Sequence, residues 1–496
     1  VGRFAIIGRQ VVLVNSPSIN LVIDPDGTVR PLVPQPPACP PIAAAGASTG
    51  LTGAYRVRES FLILDSDGNV YAESPLGPIS NSVTLANQNL SVTGAALSPS
   101  SSVGARREYR TAASGAVYYA LLDLDGNIQS AYTDATTDAA LALLPASPDL
   151  GAPPGTLQNT YLEIICAWKN RLWAKGSIEG QQDRTFYTEE GLHYAWPADN
   201  YFDIQPVGRD KYGVTAFIPR RDELGICKRD SIVKITGSSE SDFLAIIVVQ
   251  GTGCVAPDSV AVIRDIGYFL AEDGVYTFSA EGVRNISRDQ VHPWFSTDTY
   301  FNRSRFPNAA GGWNPKYDAY ELHLANAGDT TENRSVSYHI KEGIWLGPHK
   351  TDAFTPTCRA LIKDTNDLHL PIIGGSDGFI YQMNQAAYTD GASTAIDMNV
   401  LTKAHSVNSP DIQKAWLQLS MLTKDQASGT LTITPYVGDL DASAGDTISH
   451  DLTTGRQKLR RLGRGRFAQL RFQQATNAVG CTLYGYECPF FEVGRR

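Results

Sequence analysis

After residue 155 the chain repeats itself loosely, and this periodicity constrains the fold more than any other feature. Strand-rich units start at Arg171 (RLWAKG), Glu223 (ELGICK), Gly267 (GYFLAEDG), Asp318 (DAYELHL) and Leu368 (LHLPIIGG), at intervals of 52, 44, 51 and 50 residues. Each unit continues into a second strand: Arg184–Glu189, Ser231–Gly237, Gly274–Ala280, Arg334–Lys341 and Gly378–Asn384. A period of about 40–50 residues made of short strands indicates β-propeller blades, because one small sheet cannot cover both its faces and must stack on others. The competing arrangement is an open stack of sheets or two sandwiches. The composition supports an all-β, turn-rich chain, with 44 Gly, 28 Pro, 22 Tyr and only 3 Met. The opening segment has the same strand character (Phe4–Gly8, Gln10–Val14, Ile19–Asp24, then the turn Asp26-Gly27). Residues 1–45 are therefore expected to help close the propeller, and residues 156–403 to form its blades.

The first third differs from the rest. Residues 1–155 hold 15 of the 28 Pro and none of the seven Trp or eight His. Pro31–Pro41 (PLVPQPPACPP) reads as a stiff segment and Ile42–Gly53 (IAAAGASTGLTG) as a flexible one; Pro145–Gly155 makes a second break. Between them, residues 53–146 contain short Tyr- and Val-rich strands joined by Asp65–Asn69 and Asp125-Gly126-Asn127, and Asp-Gly supplies the positive φ of tight hairpins. The series Tyr55-Arg56, Tyr71, Ser74-Pro75, Tyr109-Arg110-Thr111, Tyr118-Tyr119 and Tyr132-Thr133-Asp134 resembles a fibronectin type III-like β-sandwich, without the buried Trp common in such modules. From about Ala404 the rhythm changes. Trp416–Met421, Gly429–Tyr436 and Arg466–Phe472 alternate, so residues 404–496 are read as a C-terminal β-module or a last blade.

Several motifs match chemistry by letters and fail by context. Gly374-Gly-Ser376-Asp-Gly378 fits a nucleophile elbow, but a strand follows it where the elbow needs a helix; Gly46-Ala-Ser48-Thr-Gly50 lies in a linker. Gly251-Thr-Gly253 follows an apolar strand like a dinucleotide fingerprint, yet a strand again follows, so it reads as a bend between blades. Asp24-x-Asp26-Gly, Asp65-x-Asp67-Gly and Asp123-x-Asp125-Gly look like calcium-loop fragments with Gly at the fourth position instead of the sixth, and read as hairpin turns. The His residues show no zinc spacing. The acidic pairs Glu189-Glu190 and Asp222-Glu223 become glycosidase candidates only if folding sets two carboxylates at the right separation. From sequence alone no catalytic, cofactor or metal site is expected, and the chain is read as not an enzyme.

Charge adds one more candidate. With 42 Lys+Arg against 51 Asp+Glu, the net charge of −9 argues against wholesale binding to nucleic acid. Yet Arg456, Lys458, Arg460, Arg461, Arg464, Arg466 and Arg471 form a stretch of seven cations without an acid. They are candidates for contact with a partner subunit or with phosphate, the partner being favoured because few aromatics accompany them. The seven Cys are scattered and read as reduced thiols made in a reducing cytosol, although Cys481 and Cys488 are spaced to bridge a local hairpin. No apolar run approaches the length of a spanning helix. Val1–Phe4 shows neither Met nor a signal core, as expected of a processed or trimmed chain.

The central motifs resemble a known family. Asn170–Ala174, Phe186–Glu189, Ala195–Ile204, Lys228–Gly237, Gly253–Val260 and Tyr268–Phe278 occur in order. The series is similar to that of β-propeller tail proteins of tailed bacteriophages, the nozzle or tail-hub type that includes packaged-DNA stabilisation proteins. The likeness spans about residues 50–300 well and residues 300–496 weakly. It implies a virion structural protein in several copies, often six, around the DNA exit channel. The implied neighbours are portal-proximal adaptor proteins and tail fibres or spikes, with transient contact to the passing genome and no cofactor. An acidic wall suits a channel through which DNA slides without sticking. The alternatives are a carbohydrate-binding or hydrolytic propeller, suggested by Tyr187, Trp196, Tyr276, Trp294, Trp313 and Trp345, and a tail-tip protein that binds a host receptor.

Overall fold

The computed structural model describes residues 3–14, 20–65, 67–93, 97–128, 131–148, 150, 162–176, 181–204, 213–351, 354–364, 366–383, 389–390, 394–396, 398–407, 409–474 and 480–494. The chain is nearly all β, with 52% strand and 5% helix. It divides into two compact units, Val1–Gly311 and Gly312–Arg496. That division falls inside the stretch 156–403 that the repeat alone marks as one set of blades.

Four antiparallel meanders of four strands make up most of the first unit. Sheet I runs Arg3–Ile7, Gln10–Val14, Leu21–Ile23 and Val29–Pro31; sheet II runs Leu162–Trp168, Arg171–Gly176, Arg184–Tyr187 and Tyr201–Asp203. Sheet III runs Ala216–Pro219, Glu223–Cys227, Ser231–Thr236 and Leu244–Gln250; sheet IV runs Ala261–Ile263, Ile266–Leu270, Val275–Ser279 and Gly282–Asn285. The first strands of consecutive sheets lie against one another in the order I, II, III, IV. This is the propeller-like stacking that the repeat predicts. The opening strands build a four-stranded sheet of their own, which packs on sheet II although about 130 residues separate them in sequence.

The period-two alternation of a strand explains how each sheet serves two neighbours. In sheet III, Phe217, Leu224, Ile226, Val233 and Ile235 join Ile164, Trp168, Trp173 and Tyr187 of sheet II in one core. The intervening residues Ala216, Ile218, Cys227 and Ile232 join Phe269 and Phe278 of sheet IV in another. Trp173 is fully buried, with ring centroids 4.7 Å from Tyr187 and 5.4 Å from Phe243. Its indole N–H donates to the Trp168 carbonyl at 3.2 Å.

The segment inserted between sheets I and II forms three sheets. Ile42–Ala45, Leu90–Thr93 and Ala131–Asp134 make one; Val57–Leu64, Val70–Glu73, Ala105–Thr111 and Tyr118–Asp125 make the second; Leu51–Tyr55 pairs with Val83–Gln88 in the third. Their shared core includes Leu51, Tyr55, Val57, Leu90 and Val92. Ile42–Gly53, expected as a flexible tether, thus holds a strand and the start of another. Its alanines are small enough to lie against Leu90 and Val92, and the pairing with Leu90–Thr93 supplies the order that its composition hides. The second break, Pro145–Gly155, lies partly outside the described residues.

In the second unit, sheet V runs Ala310–Asn314, Ala319–Leu324, Arg334–His339 and Ile344–Lys350, its first strand spanning the division between the units; sheet VI has three strands, Pro356–Lys363, His369–Gly375 and Ile380–Gln382. The C-terminal module is a sandwich. One sheet holds Met398–Leu401, Phe467–Gln474, Thr430–Gly438 and Ile448–Asp451; the other holds Arg456–Gly465, Gln413–Thr423, Leu483–Glu487 and Phe490–Gly494. Leu419, Met421, Leu431, Ile433, Leu459 and Phe472 fill the space between them. Because Trp173 anchors the core between sheets II and III, Trp173→Ala is expected to cost about 3–5 kcal/mol. Denaturant unfolding followed by fluorescence checks this.

Candidate functional site

Six of the seven cations fall on two strands of the C-terminal sandwich, and Arg466 lies at the bend between them. Arg456–Gly465 is an edge strand whose one sheet partner among the described residues is Gln413–Thr423. The register shifts between Gln418 and Ser420 of that partner, so Arg460 and Arg461 are both exposed although they are adjacent in sequence. Arg460 pairs with Asp446 at 3.3 Å and donates to its carbonyl at 2.6 Å, and Arg466 pairs with Asp439 at 3.5 Å. Arg471 points toward Tyr436, 6.0 Å from its ring centre, on the adjacent strand of the same sheet. Arg456, Lys458, Arg461 and Arg464 are exposed and have no ion pair among the described residues. The structure therefore separates the linear cluster into two locally neutralised cations, one aromatic-packed cation and four open ones. Charged side chains on an edge strand also keep it from pairing with a stray strand.

A second edge is the opposite in chemistry, and sequence reading gave it no role. Leu244–Gln250 (LAIIVVQ) is the last strand of sheet III and, among the described residues, pairs only with Ser231–Thr236. Leu244, Ile246 and Ile247 are 58%, 40% and 52% exposed. The strand carries no charge and no Pro that would protect an exposed edge. Its only sequence signal is the apolar run itself, which reads equally well as a buried strand.

Sheets III and IV also frame a cleft of about 410 Å³, lined by Thr215, Arg229, Glu272, Arg303, Ser304 and Phe306. Arg229 lies in the hairpin between the second and third strands of sheet III, and Glu272 in the corresponding hairpin of sheet IV. The Arg229 guanidinium approaches the Glu272 carboxylate at 3.4 Å, and Arg303 Nη2 donates to the Glu272 carbonyl at 3.2 Å. The residues come from four separate segments, so no linear motif marks them.

The sequence motifs that suggested other chemistry are structural. Ser376 sits in the hairpin between His369–Gly375 and Ile380–Gln382, where the Gly375 N–H donates to the Phe379 carbonyl. Gly251 leads through a 3₁₀ turn at Pro257–Ser259 into a strand. In the three Asp-Gly turns the leading carboxylate is taken by protein donors. Asp24 accepts from Gln10 and twice from Arg30, Asp65 from the Asp67 and Asn69 amides, and Asp123 from both ends of Arg107. No group of three or more metal-ligating side chains occurs among the described residues. Cys481 and Cys488 are both free, and burial pushes the Cys488 thiol up to about 11. Tyr187, Trp196 and Trp345 are buried in blade cores and present no aromatic binding face.

One carboxylate pair that linear reading did not single out lies inside the inserted module. Glu59 and Glu108 are register partners on adjacent strands, and both are fully buried. Arg106 stands 3.5 Å from Glu59, and the Tyr132 hydroxyl donates to Glu108 at 3.3 Å. Burial, and then the neighbouring Glu59, push Glu108 up to about 9. Enclosure keeps this pair from any substrate, and its proton serves the packing. His193, between sheets I and II, is held neutral in the same way: burial and then Arg30 lower it to about 3.

No family model matches the chain, and no curated protein is significantly similar to it. Solved structures are similar in fold at low identity. An exo-β-1,3-galactanase from Phanerochaete chrysosporium is 10% identical over 90% of this chain and 100% of its own, with a TM-score of 0.21. PorZ, a surface component of the type-IX secretion system of Porphyromonas gingivalis, is 11% identical over 99% and 75%, with a TM-score of 0.29. A Trypanosoma rangeli sialidase is 7% identical over 88% and 86%, with a TM-score of 0.28. The expectation that the chain is not an enzyme is corrected at this point, because the galactanase and the sialidase are themselves enzymes. At these TM-scores the likeness assigns the chain no activity of its own. Among the described residues no helix is long and apolar enough to cross a membrane.

Two outcomes follow from the charges. Glu108 holds its proton in the folded chain from its ordinary value of 4.5 up to about 9, so the folded state binds more protons than the unfolded one across that range. The group's contribution to stability is therefore fully present below pH 4.5 and falls as pH rises toward 9. Glu108→Gln is expected to raise the melting temperature at pH 8 relative to the parent and to lose that advantage near pH 5. Melting curves across that pH range test it. The exposed pairs of Asp439 and Asp446 with Arg466 and Arg460 are expected to matter little: replacing both acids with Asn should change unfolding stability by less than about 1 kcal/mol.

Proposed function

We propose that the chain is a structural subunit of a bacteriophage tail, a nozzle or hub of which several copies surround the DNA exit channel. The observation that supports this reading is the bare apolar edge strand Leu244–Gln250 in a chain of net charge −9. An uncharged apolar edge is a hazard for a protein that works alone and a docking strip for one that assembles. The four open cations on Arg456–Gly465 give a second surface, suited to an acidic patch on a neighbouring subunit or to the phosphates of a passing genome. In the resembled family the neighbours are portal-proximal adaptors above and fibres or spikes below, and the protein resides in the virion.

Sedimentation and negative-stain imaging test the reading. The expected outcome is a closed oligomer at micromolar concentration that joins a portal–adaptor complex. Ile246→Lys is expected to weaken self-association at least tenfold, about 1.4 kcal/mol. A chain that stays monomeric at high concentration and ignores the portal–adaptor complex would overturn it.

A second reading, a carbohydrate-binding or carbohydrate-hydrolysing propeller, is favoured by one observation. The cleft between the hairpins of sheets III and IV combines hydroxyl, arginine and carboxylate groups with the Phe306 ring. It is also the reading toward which the names of the similar solved structures lean. Saturable glycan binding or glycoside hydrolysis by the purified chain, lost on Glu272→Ala, supports it; neither one occurring removes it.

A further inference from the structure

We propose that the cleft between sheets III and IV binds a small ligand bearing an oxyanion, a carboxylate or a phosphate monoester of about monosaccharide size. The inference deepens the second reading by naming the ligand class, and it requires neither hydrolysis nor assembly.

Three observations carry it. The volume of about 410 Å³ lies within the range of small-molecule sites. Two guanidiniums converge on one residue: Arg229 meets the Glu272 side chain and Arg303 meets its backbone carbonyl. Arg229 thus has the Glu272 carboxylate as a counter-charge, whereas the Arg303 guanidinium meets a backbone carbonyl and has no ion pair among the described residues, so it brings a positive charge to the cleft. Finally, Arg303 Nε is buried without a hydrogen-bond partner. A buried N–H left unmade is costly, and a charged one more so. An oxyanion is the ligand that suits this guanidinium, because its planar fork matches carboxylate and phosphate oxygens. The hydroxyls of Thr215 and Ser304 already donate within the protein, to the Cys254 carbonyl at 2.7 Å and to Asn302 Oδ1 at 2.6 Å. Their oxygens keep acceptor capacity for the hydroxyls of a ligand. Phe306 and Pro307 supply an apolar wall.

The test is titration calorimetry of the full chain with glucuronate, glucose 6-phosphate and glucose. The expected result is saturable one-site binding of at least one anion, at least tenfold tighter than glucose. Arg303→Ala should weaken that binding tenfold or more, and Ser304→Tyr, which fills the cleft while keeping both arginines, should abolish it. Glucuronate alone marks a carboxylate ligand, glucose 6-phosphate alone a phosphate ester, and both together the shared oxyanion. Glucose binding as tightly as the anions, no saturable binding of either anion, or binding unchanged in both variants would overturn the proposal. These probes carry no glycosidic bond to be cut, so a failure to hydrolyse glycans sinks the hydrolase reading and leaves this result intact.

Discussion

Sheets II and III are each covered on both sides by a neighbouring sheet, and much of the first unit follows from that requirement. A four-stranded meander has two faces and too little area to bury either alone. In sheet III the alternation of a strand sends Phe217 and Leu224 toward sheet II and Ile218 and Cys227 toward sheet IV. Sheet II repeats the arrangement, with Leu172 and Ala174 toward sheet I and Trp173 toward sheet III. Removing one sheet would expose a face of its neighbour, so the stack holds together as a series and not as independent hairpins. The same demand brings sheet I onto sheet II across the whole inserted module.

With the faces committed to stacking, the edges and the hairpin ends are left for interaction. Leu244–Gln250 is bare and apolar, whereas Arg456–Gly465 is crowded with cations. The hairpins of sheets III and IV bring Arg229 and Glu272 to one cleft, and the segment Arg303–Asn308 adds Arg303. Charges that do lie inside are satisfied in pairs or neutralised. Arg30 holds Asp24 with two bonds of 2.6 and 2.9 Å, Arg110 holds Asp134 at 2.6 Å, and Glu108 keeps its proton. This follows from the cost of burying a lone charge.

Much of the fold was legible in the chain. The spacing from Arg171 to Leu368 anticipated successive sheets, and the Asp-Gly pairs at 26–27 and 67–68 marked hairpins that the structure contains, whereas Asp125-Gly126 leads from one sheet to another because its flanking strands pair with Ala105–Thr111 and Leu90–Thr93. The sites were far less legible. The basic stretch was visible as a string of letters, but the acids that neutralise Arg460 and Arg466 come from a loop 14 and 27 residues upstream. The strand Ile42–Ala45 was hidden because Ala and Gly carry almost no β signal, and its partner lies 45 or more residues away. The cleft was invisible, since its lining comes from segments between residues 215 and 307 with no common spacing.

By itself the sequence determined the local alphabet: short strands, tight turns, a net acidic balance and a blade-length repeat. These depend on neighbours in the chain, through side-chain alternation and the backbone preferences of Asp-Gly pairs. Only the tertiary structure decided which carboxylates are used up, which edge is left bare, and which arginines share a cleft. Burial and pairing are set by residues distant in sequence, and those same contacts fix whether a charged or apolar side chain is structural or free to bind.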